Sequence, residues 1–501
     1  MVKTSKYNQQ FVITMNCIDY LLESNSNNTS NFVCGNTPLT FNDCYNQSYS
    51  LANYIRNTFG EKLHFILLSE NSNFFIIAYL AIIKSGNICI PLDPAIEGNN
   101  FNYIVQTTNP ALIFTTNKIS NKLCLDGTVC LYPEDIPEKS KIHPPLKFEP
   151  GFDKERIAEI IFTSGSTGKP KGVMLSHKNL IANTNSILQY LSLSSKDKIL
   201  VVLPFFYCYG LSLLHTHLRC GGSIVLNNSF IFLGSVIKAL KENNCTGFAG
   251  VPSHFQILLR KSDSFKKSEF PSLRYVTQAG GKLSTVFIDE FIEAFSNTAF
   301  YVMYGQTEAT ARLSYLPPQK YKQKKGSIGK GIPDVELRVV NSKNNEVAPG
   351  EIGEIIAKGD NIMAGYYHDA EGTRKVFRNG WLHTGDLATV DEDGFIYHSA
   401  RKKEIMKISG KRVSPKEIEE VILKIPAIVD CTIESFEDLV QGEAIKASLV
   451  LQNSITNFPE FEKKVKNYCM QNMALYKVPR KFEFKTRMHL SSSGKKVKAK
   501  L

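Results

Sequence analysis

Ten consecutive residues carry the densest chemistry in the chain: Thr163, Ser164, Gly165, Ser166, Thr167, Gly168, Lys169, Pro170, Lys171 and Gly172. The glycines let backbone N–H groups turn toward an anion, the hydroxyls add donors, and Lys169 and Lys171 add positive charge. Together they describe a cradle for a polyphosphate. It is not a Walker A loop, because counting from Gly165 puts Pro170 where that motif needs its second glycine. An apolar run, Ile157 to Phe162, leads into the cradle and is expected to be the strand that carries it.

Around this motif the chain reads as layered α/β. From about Leu39 to Phe300, helical apolar spacing alternates with short β-branched or aromatic runs, among them 62–68, 88–92, 111–115 and 157–163. That alternation predicts largely parallel sheets. The region 326–399 differs, with short strands at 335–340 and 354–357 punctuated by Pro349-Gly350 and by Asp393-Gly394, which is expected to be a two-residue hairpin turn. A β-rich subdomain is expected there, closing a large domain of residues 1–399. A small mobile α+β domain is expected over 400–501, where Ser414, Pro415 and Glu417 predict a helix start with a capping box and Pro426 a stop.

Composition narrows the class. The 501 residues are 43% apolar and 21% charged, ordinary for a globular protein, so two to four structural units are expected. Eleven scattered cysteines without a Cys-x-x-Cys pair read as reduced thiols, which excludes a disulfide scaffold or zinc site and suits the cytoplasm. No signal peptide is expected, and the longest apolar run, Phe74 to Ile83, is too short to span a bilayer and predicts a buried helix. The net charge is +12, of which residues 401–501 hold +9, from 21 Lys/Arg against 12 Asp/Glu. Such a field favours anionic partners, among them nucleotides, coenzyme A, acidic carrier proteins, nucleic acid and anionic membranes.

The cradle resembles the phosphate loop of the adenylate-forming superfamily, which comprises acyl-CoA synthetases, peptide-synthetase adenylation domains and firefly-type luciferases. Further matches run in that superfamily's order along nearly the whole chain: Pro91 to Pro94, Ala279-Gly280-Gly281, Tyr304-Gly305-Gln306-Thr307-Glu308, Gly365-Tyr366, Thr384-Gly385-Asp386, Arg401, Lys407, Gly410 and Ser493-Gly494-Lys495. The resemblance implies a two-step ATP-dependent acid:thiol ligase. Tyr304 and Gly305 would lie at the adenine, Thr307 would donate to the α-phosphate, and Glu308 would offer Mg²⁺ a hard carboxylate oxygen. Asp386 and Arg401 would hold the ribose. Lys495 would neutralise charge as the acid attacks the α-phosphate. Rotation about a hinge at Lys403 would then bring Gly410, past which pantetheine threads, and Lys407 to the site.

Two positions depart from the common pattern. Tyr207 stands where many members have histidine, and Ala400 stands where glycine is usual. The segment 205–209 holds no carboxylate to pair with an ammonium group, which disfavours amino acids as substrates. Tyr207, Gly210, His254 and Ala279 are expected to line a pocket for an apolar acid, fatty acyl first and aryl second. Coenzyme A is the expected acceptor, and the phosphopantetheine of an acidic acyl carrier protein is the alternative. A luciferase-like oxygenase and a non-catalytic scaffold or nucleic-acid binder of the same fold are the remoter readings. No nucleic-acid partner and no transmembrane segment are expected, and the assembly is expected to be a monomer or homodimer.

Overall fold

The computed structural model describes residues 15–494 apart from 126–127, 164–168, 231, 409–410, 439–441, 453, 489 and 492–493. Ser164 to Gly168, Gly410 and Lys495 therefore lie outside the described residues.

Two large sheets form the centre. The first has seven strands, in the order 365–366, 171–176, 157–163, 88–92, 64–68, 112–115 and 130–131. Parallel pairing runs through the middle, whereas 157–163 and 171–176 pair antiparallel and register Thr163 with Lys171. Thr163 and Lys171, which bracket residues 164–168, thus face each other across antiparallel strands. The second sheet has nine strands, of which 31–34, 223–226, 198–201, 247–250, 275–278 and 299–304 are mutually parallel.

Between the sheets lies the helix Asn73–Lys84, buried along its length and started by Ser72, whose side chain accepts from the Phe75 amide. The Phe74 to Ile83 run is this helix, apolar all round because it has packing partners on every side. Strand alternation then assigns faces on the second sheet. Ile199, Ala249 and Tyr275 point to the core shared with the first sheet, and their neighbours Leu200, Phe248 and Val276 point to a second core.

A five-stranded sheet follows, built from 335–340, 353–359, 377–378, 381–390 and 396–401. The turn before its last strand is not the two-residue one expected. Asp391 and Phe395 close a three-residue loop, with Gly394 at φ +77°. A type I turn continued by a left-handed glycine lets the strands keep their twist. Beyond Arg401 come a short hairpin, 406–408 with 411–413, and the helix Pro415–Ile422. Next is a sheet of 428–438, 442–451 and 481–485, covered by the helix Phe458–Asn472. The helix at Pro415 starts as expected, but without the capping box. Ser414 Oγ donates to the Ser399 carbonyl at 2.9 Å and Glu417 pairs with Lys477, so both side chains serve tertiary contacts instead.

The C-terminal unit docks on the helices Pro252–Lys261 and Thr285–Ala294. Glu420 accepts from the Thr285 amide and hydroxyl at 3.0 and 2.9 Å, and Gln256 donates to Asp430 at 3.2 Å. The Arg260 side chain is 2% exposed. Its guanidinium donates to the carbonyls of Leu423 (3.2 Å), Ile425 (3.3 Å) and Ile428, pairs with Glu290 at 2.7 Å and stacks over Phe287.

Candidate nucleotide and acid site

The carboxyl ends of four parallel strands supply the site: 198–201 leads to the turn at 203–207, 247–250 to 251–254, 275–278 to 279–281, and 299–304 to 305–308. Open parallel sheets present ligand-binding loops at this edge because each strand there feeds a turn into a helix. Two glycines are sterically required. A Cβ on Gly305 would lie 1.9 Å from the Ala311 carbonyl oxygen, and Gly280 sits at φ +83°. Gly281 lies against Pro252, and its carbonyl accepts from Gln278 at 2.8 Å.

Tyr304 and Asp386 come together. The Tyr304 hydroxyl donates to Asp386 Oδ2 at 2.7 Å, while Asp386 Oδ1 faces His398 Nε2 at 3.4 Å and Arg401 Nε at 3.3 Å. Antiparallel pairing puts Asp386 opposite Arg401. Asp386 is 2% exposed. Burial alone would raise its carboxyl, but the His398 hydrogen bond, the neighbouring positive charge and the Tyr304 hydroxyl outweigh it and hold the group below the usual carboxylate value. The Tyr304 hydroxyl is pushed well up by burial and by the carboxylate beside it. Asp386 is thus a fixed anion with acceptor capacity suited to vicinal hydroxyls.

Glu308 is held by a partner the sequence reading quoted without a role. The Tyr366 hydroxyl donates to Glu308 Oε1 at 2.8 Å, and the Glu308 carbonyl accepts from the Met363 amide. The Lys171 ammonium lies 4.9 Å from the centre of the Tyr366 ring and bonds Asp369 at 2.8 Å. One Glu308 oxygen remains for a cation. Among the described residues no group of three or more His, Cys, Asp or Glu gathers to hold a metal, which fits Mg²⁺ carried mainly by phosphates and needing one or two carboxylates. Thr307 is buried, with its hydroxyl 3.6 Å from Cys208 Sγ.

The four expected acid-pocket residues separate. Tyr207 precedes the helix Cys208–Cys220, and Gly210 has the Pro204 carbonyl 2.1 Å from where a Cβ would stand. Ala279 shares the core that this helix faces. His254 instead belongs to the helix on the opposite face of the sheet. It stacks on Phe230 at 4.1 Å and lines a cavity of about 780 Å³ between the large domain and the C-terminal unit. Burial keeps its imidazole neutral, with a pKa lowered to about 3. Gly494 reaches this corner: the Ser253 hydroxyl donates to its carbonyl at 2.8 Å, and Val251 and His254 crowd its α-carbon. The residue before Lys495 is therefore docked on the 251–254 segment of the large domain. Lys403 and Lys407 are exposed, and the Lys407 amide bonds Glu443 within the C-terminal unit.

His398, Asp369 and Arg312 carry no mark in the sequence reading. Strand register brings His398 to Asp386, and neither residue's local sequence signals the pair.

Residues 23–367 match the model of AMP-binding enzymes, and residues 417–495 match that of the AMP-binding enzyme C-terminal domain. The chain belongs to the AMP-binding enzyme family. Relatives include the putative acyl-CoA synthetase YngI of Bacillus subtilis, 32% identical over 70% of this chain and 64% of its own length. The peroxisomal OPC-8:0-CoA ligase 1 of Arabidopsis thaliana is 29% identical over 91% of this chain and 87% of its own. Among solved folds, the anthranilate CoA ligase AuaEII superposes with a TM-score of 0.89 at 22% identity, covering 97% of this chain and 96% of that one. Rhodopseudomonas palustris MatB superposes at 0.85 with 24% identity over 96% and 97%. This AMP-binding enzyme thus has the mixed α/β fold of a large domain and a small C-terminal one, and none of its helices is long and apolar enough to cross a membrane among the described residues.

Proposed function

We propose that the chain is an ATP-dependent acid:coenzyme A ligase. A carboxylate oxygen attacks the α-phosphorus of ATP, the bond to the β-phosphate breaks, and pyrophosphate leaves. The thiol sulfur then attacks the acyl carbon, AMP departs with the bonding pair, and the thiol proton is lost. The observation that carries this reading is the buried Asp386 carboxylate, fixed by Tyr304, His398 and Arg401, with Tyr304 leading directly into Thr307 and Glu308.

Each residue then has a task. Asp386 accepts from the ribose hydroxyls with Arg401 beside it, and Tyr304 and Gly305 border the base. The Thr163 to Lys171 hairpin wraps the phosphates, with Gly280 and Gly281 allowing close approach. Glu308, oriented by Tyr366, holds Mg²⁺, which when bound offsets phosphate charge. Lys495 lies outside the described residues, but Gly494 docked on Ser253 supports its placement beside the α-phosphate for the first step. Rotation about Lys403 would withdraw it and present Gly410 and Lys407 for thiol attack.

The acid is read as apolar in its body, fatty acyl ahead of aryl, with Tyr207, Gly210 and Ala279 along its path. A carrier-protein phosphopantetheine is the second acceptor to test, because the basic C-terminal domain suits an acidic partner. The setting is read as cytoplasmic. Acid-dependent exchange of labelled pyrophosphate into ATP tests the first step, and adding coenzyme A or carrier protein to the acyl-adenylate tests the second. Absence of exchange with every acid offered would sink the reading.

A further inference from the structure

Arg312 is a charge without a counter-charge. It is 2% exposed, and its guanidinium lies 3.9 Å from the centre of the Tyr209 ring. Its hydrogen bonds to Ala311 and Ser212 are long, 3.4 Å to the carbonyl of its own neighbour and 3.5 Å to Oγ, the Tyr190 hydroxyl also faces it, and among the described residues Nε has no partner. Among the described residues no carboxylate pairs with it. Asp197, the carboxylate whose charge reaches nearby His217 and Tyr275, is already engaged by Arg274 at 2.9 Å. A guanidinium keeps its charge inside proteins, and burying one unpaired costs several kcal/mol.

Its surroundings are polar but neutral. Ser212, Thr216, His217, Tyr275 and Thr277 share with Arg312 a void of about 10 Å³ between the nine-stranded sheet and the helix Cys208–Cys220. Burial lowers the His217 imidazole to about 4 and raises the Tyr209 hydroxyl to about 12, so neither carries charge at neutral pH. The void has room for about one water, but a water cannot neutralise a cation.

The backbone places this cation next to the site. Arg312 Cα lies 2.8 Å from where a Cβ on Gly305 would stand, and the Asn361 amide fixes the Arg312 carbonyl at 2.8 Å. The guanidinium therefore extends from the nucleotide end along the face that holds Tyr209, Thr277 and Ala279, the face assigned to the acid.

Resting on the acid:thiol ligase reading but departing from its fatty-acyl preference, we infer that Arg312 selects an acid bearing a second carboxylate. One carboxylate stays at Thr307 and Glu308 to react, and the other forms a charge-assisted pair with the guanidinium past the Tyr209 ring. A plain monocarboxylic acid leaves the buried charge uncompensated and is selected against.

The test is pyrophosphate exchange with acids matched in carbon number, alkanoates against α,ω-dicarboxylates and o-toluate against phthalate, for the parent enzyme and Arg312→Met. The parent is expected to favour the dicarboxylate of its best pair at least tenfold in kcat/KM, and Arg312→Met to abolish or invert that ratio while leaving the KM for ATP unchanged. Should Arg312→Met fail to fold, the parent's thermal shift with each acid and a non-hydrolysable ATP analogue gives the same comparison. Exchange or thermal shift that is best with plain alkanoates overturns the role of Arg312 and leaves the ligase reading standing, as does a ratio unmoved by the substitution. No exchange with any acid overturns both.

Discussion

Arg260→Met should separate the two half-reactions. The guanidinium spans the domains, anchored on the large domain by Glu290 and Phe287, and donates through Nη1 to three carbonyls just beyond the helix Pro415–Ile422. One amino group has two hydrogens, so at most two of those bonds count at full strength. At roughly 1.5 kcal/mol each for a bond to a charged donor, the docked arrangement loses about 3 kcal/mol. Each 1.4 kcal/mol is about tenfold, so docking weakens by about two orders of magnitude. The Glu290 pair lies within the large domain and is lost in docked and undocked arrangements alike, so it drops out of the comparison. Under the function proposed above, the arrangement that seats Gly494 on Ser253 serves the adenylation step and not thiol attack on a supplied acyl-adenylate. Pyrophosphate exchange should fall 10- to 100-fold, while thioester formation from synthetic acyl-adenylate holds or rises. Equal losses in both assays, or no loss in exchange, would refute the reasoning. A thermal melt of the variant shows whether general unfolding explains equal losses.

Three further outcomes are expected. Gly305→Ala should abolish exchange and lower the melting temperature, because a Cβ 1.9 Å from the Ala311 carbonyl forces the Tyr304 to Glu308 turn to move; exchange and a melt check both. Tyr366→Phe should raise the Mg²⁺ concentration for half-maximal exchange several-fold, since Glu308 loses the hydroxyl that orients it, and a metal titration reads the shift. Glu159, 1% exposed and bonded by the Tyr79 hydroxyl at 2.7 Å, has its carboxyl raised by burial to about 7 from 4.5. The folded state then holds a proton the unfolded chain has lost, so this group makes stability fall as pH rises from 4.5 to about 7 and adds no slope above that. Glu159→Gln should remove that fall, and denaturant melts at pH 5 and 8 should show the variant gaining on the parent by up to about 3 kcal/mol at the higher pH.

What the sequence discloses about this enzyme divides by the range of the interaction. The phosphate hairpin, the Tyr304 to Glu308 turn and Asp386 are legible because each packs glycines, hydroxyls or carboxylates into a few adjacent residues whose local backbone makes the chemistry. The buried helix Asn73–Lys84 and the strands 88–92, 157–163 and 335–340 are legible for a similar reason, periodicity being a local property. His398 is different: it meets Asp386 only through the register of the strands 381–390 and 396–401, and a histidine in a mixed-polarity strand carries no sign of that. The apolar character of 205–218 and 251–259 suggests a pocket place for His254 beside Tyr207 and Ala279, or a core histidine, and does not say which face of the sheet its helix takes. Edge and face are separate coordinates. The helix that carries His254 packs beside Phe248 and Val276, whereas the helix after Tyr207 packs beside Ala249 and Tyr275. Arg260 and Arg312 are the extreme cases, since a lone arginine on a helix or after a turn reads as an exposed charge until the fold buries it. A buried cation must be answered by something, and for Arg260 the answer is the carbonyls of the second domain. For Arg312 the described residues supply no carboxylate, and the proposed second carboxylate of the acid is offered as that answer.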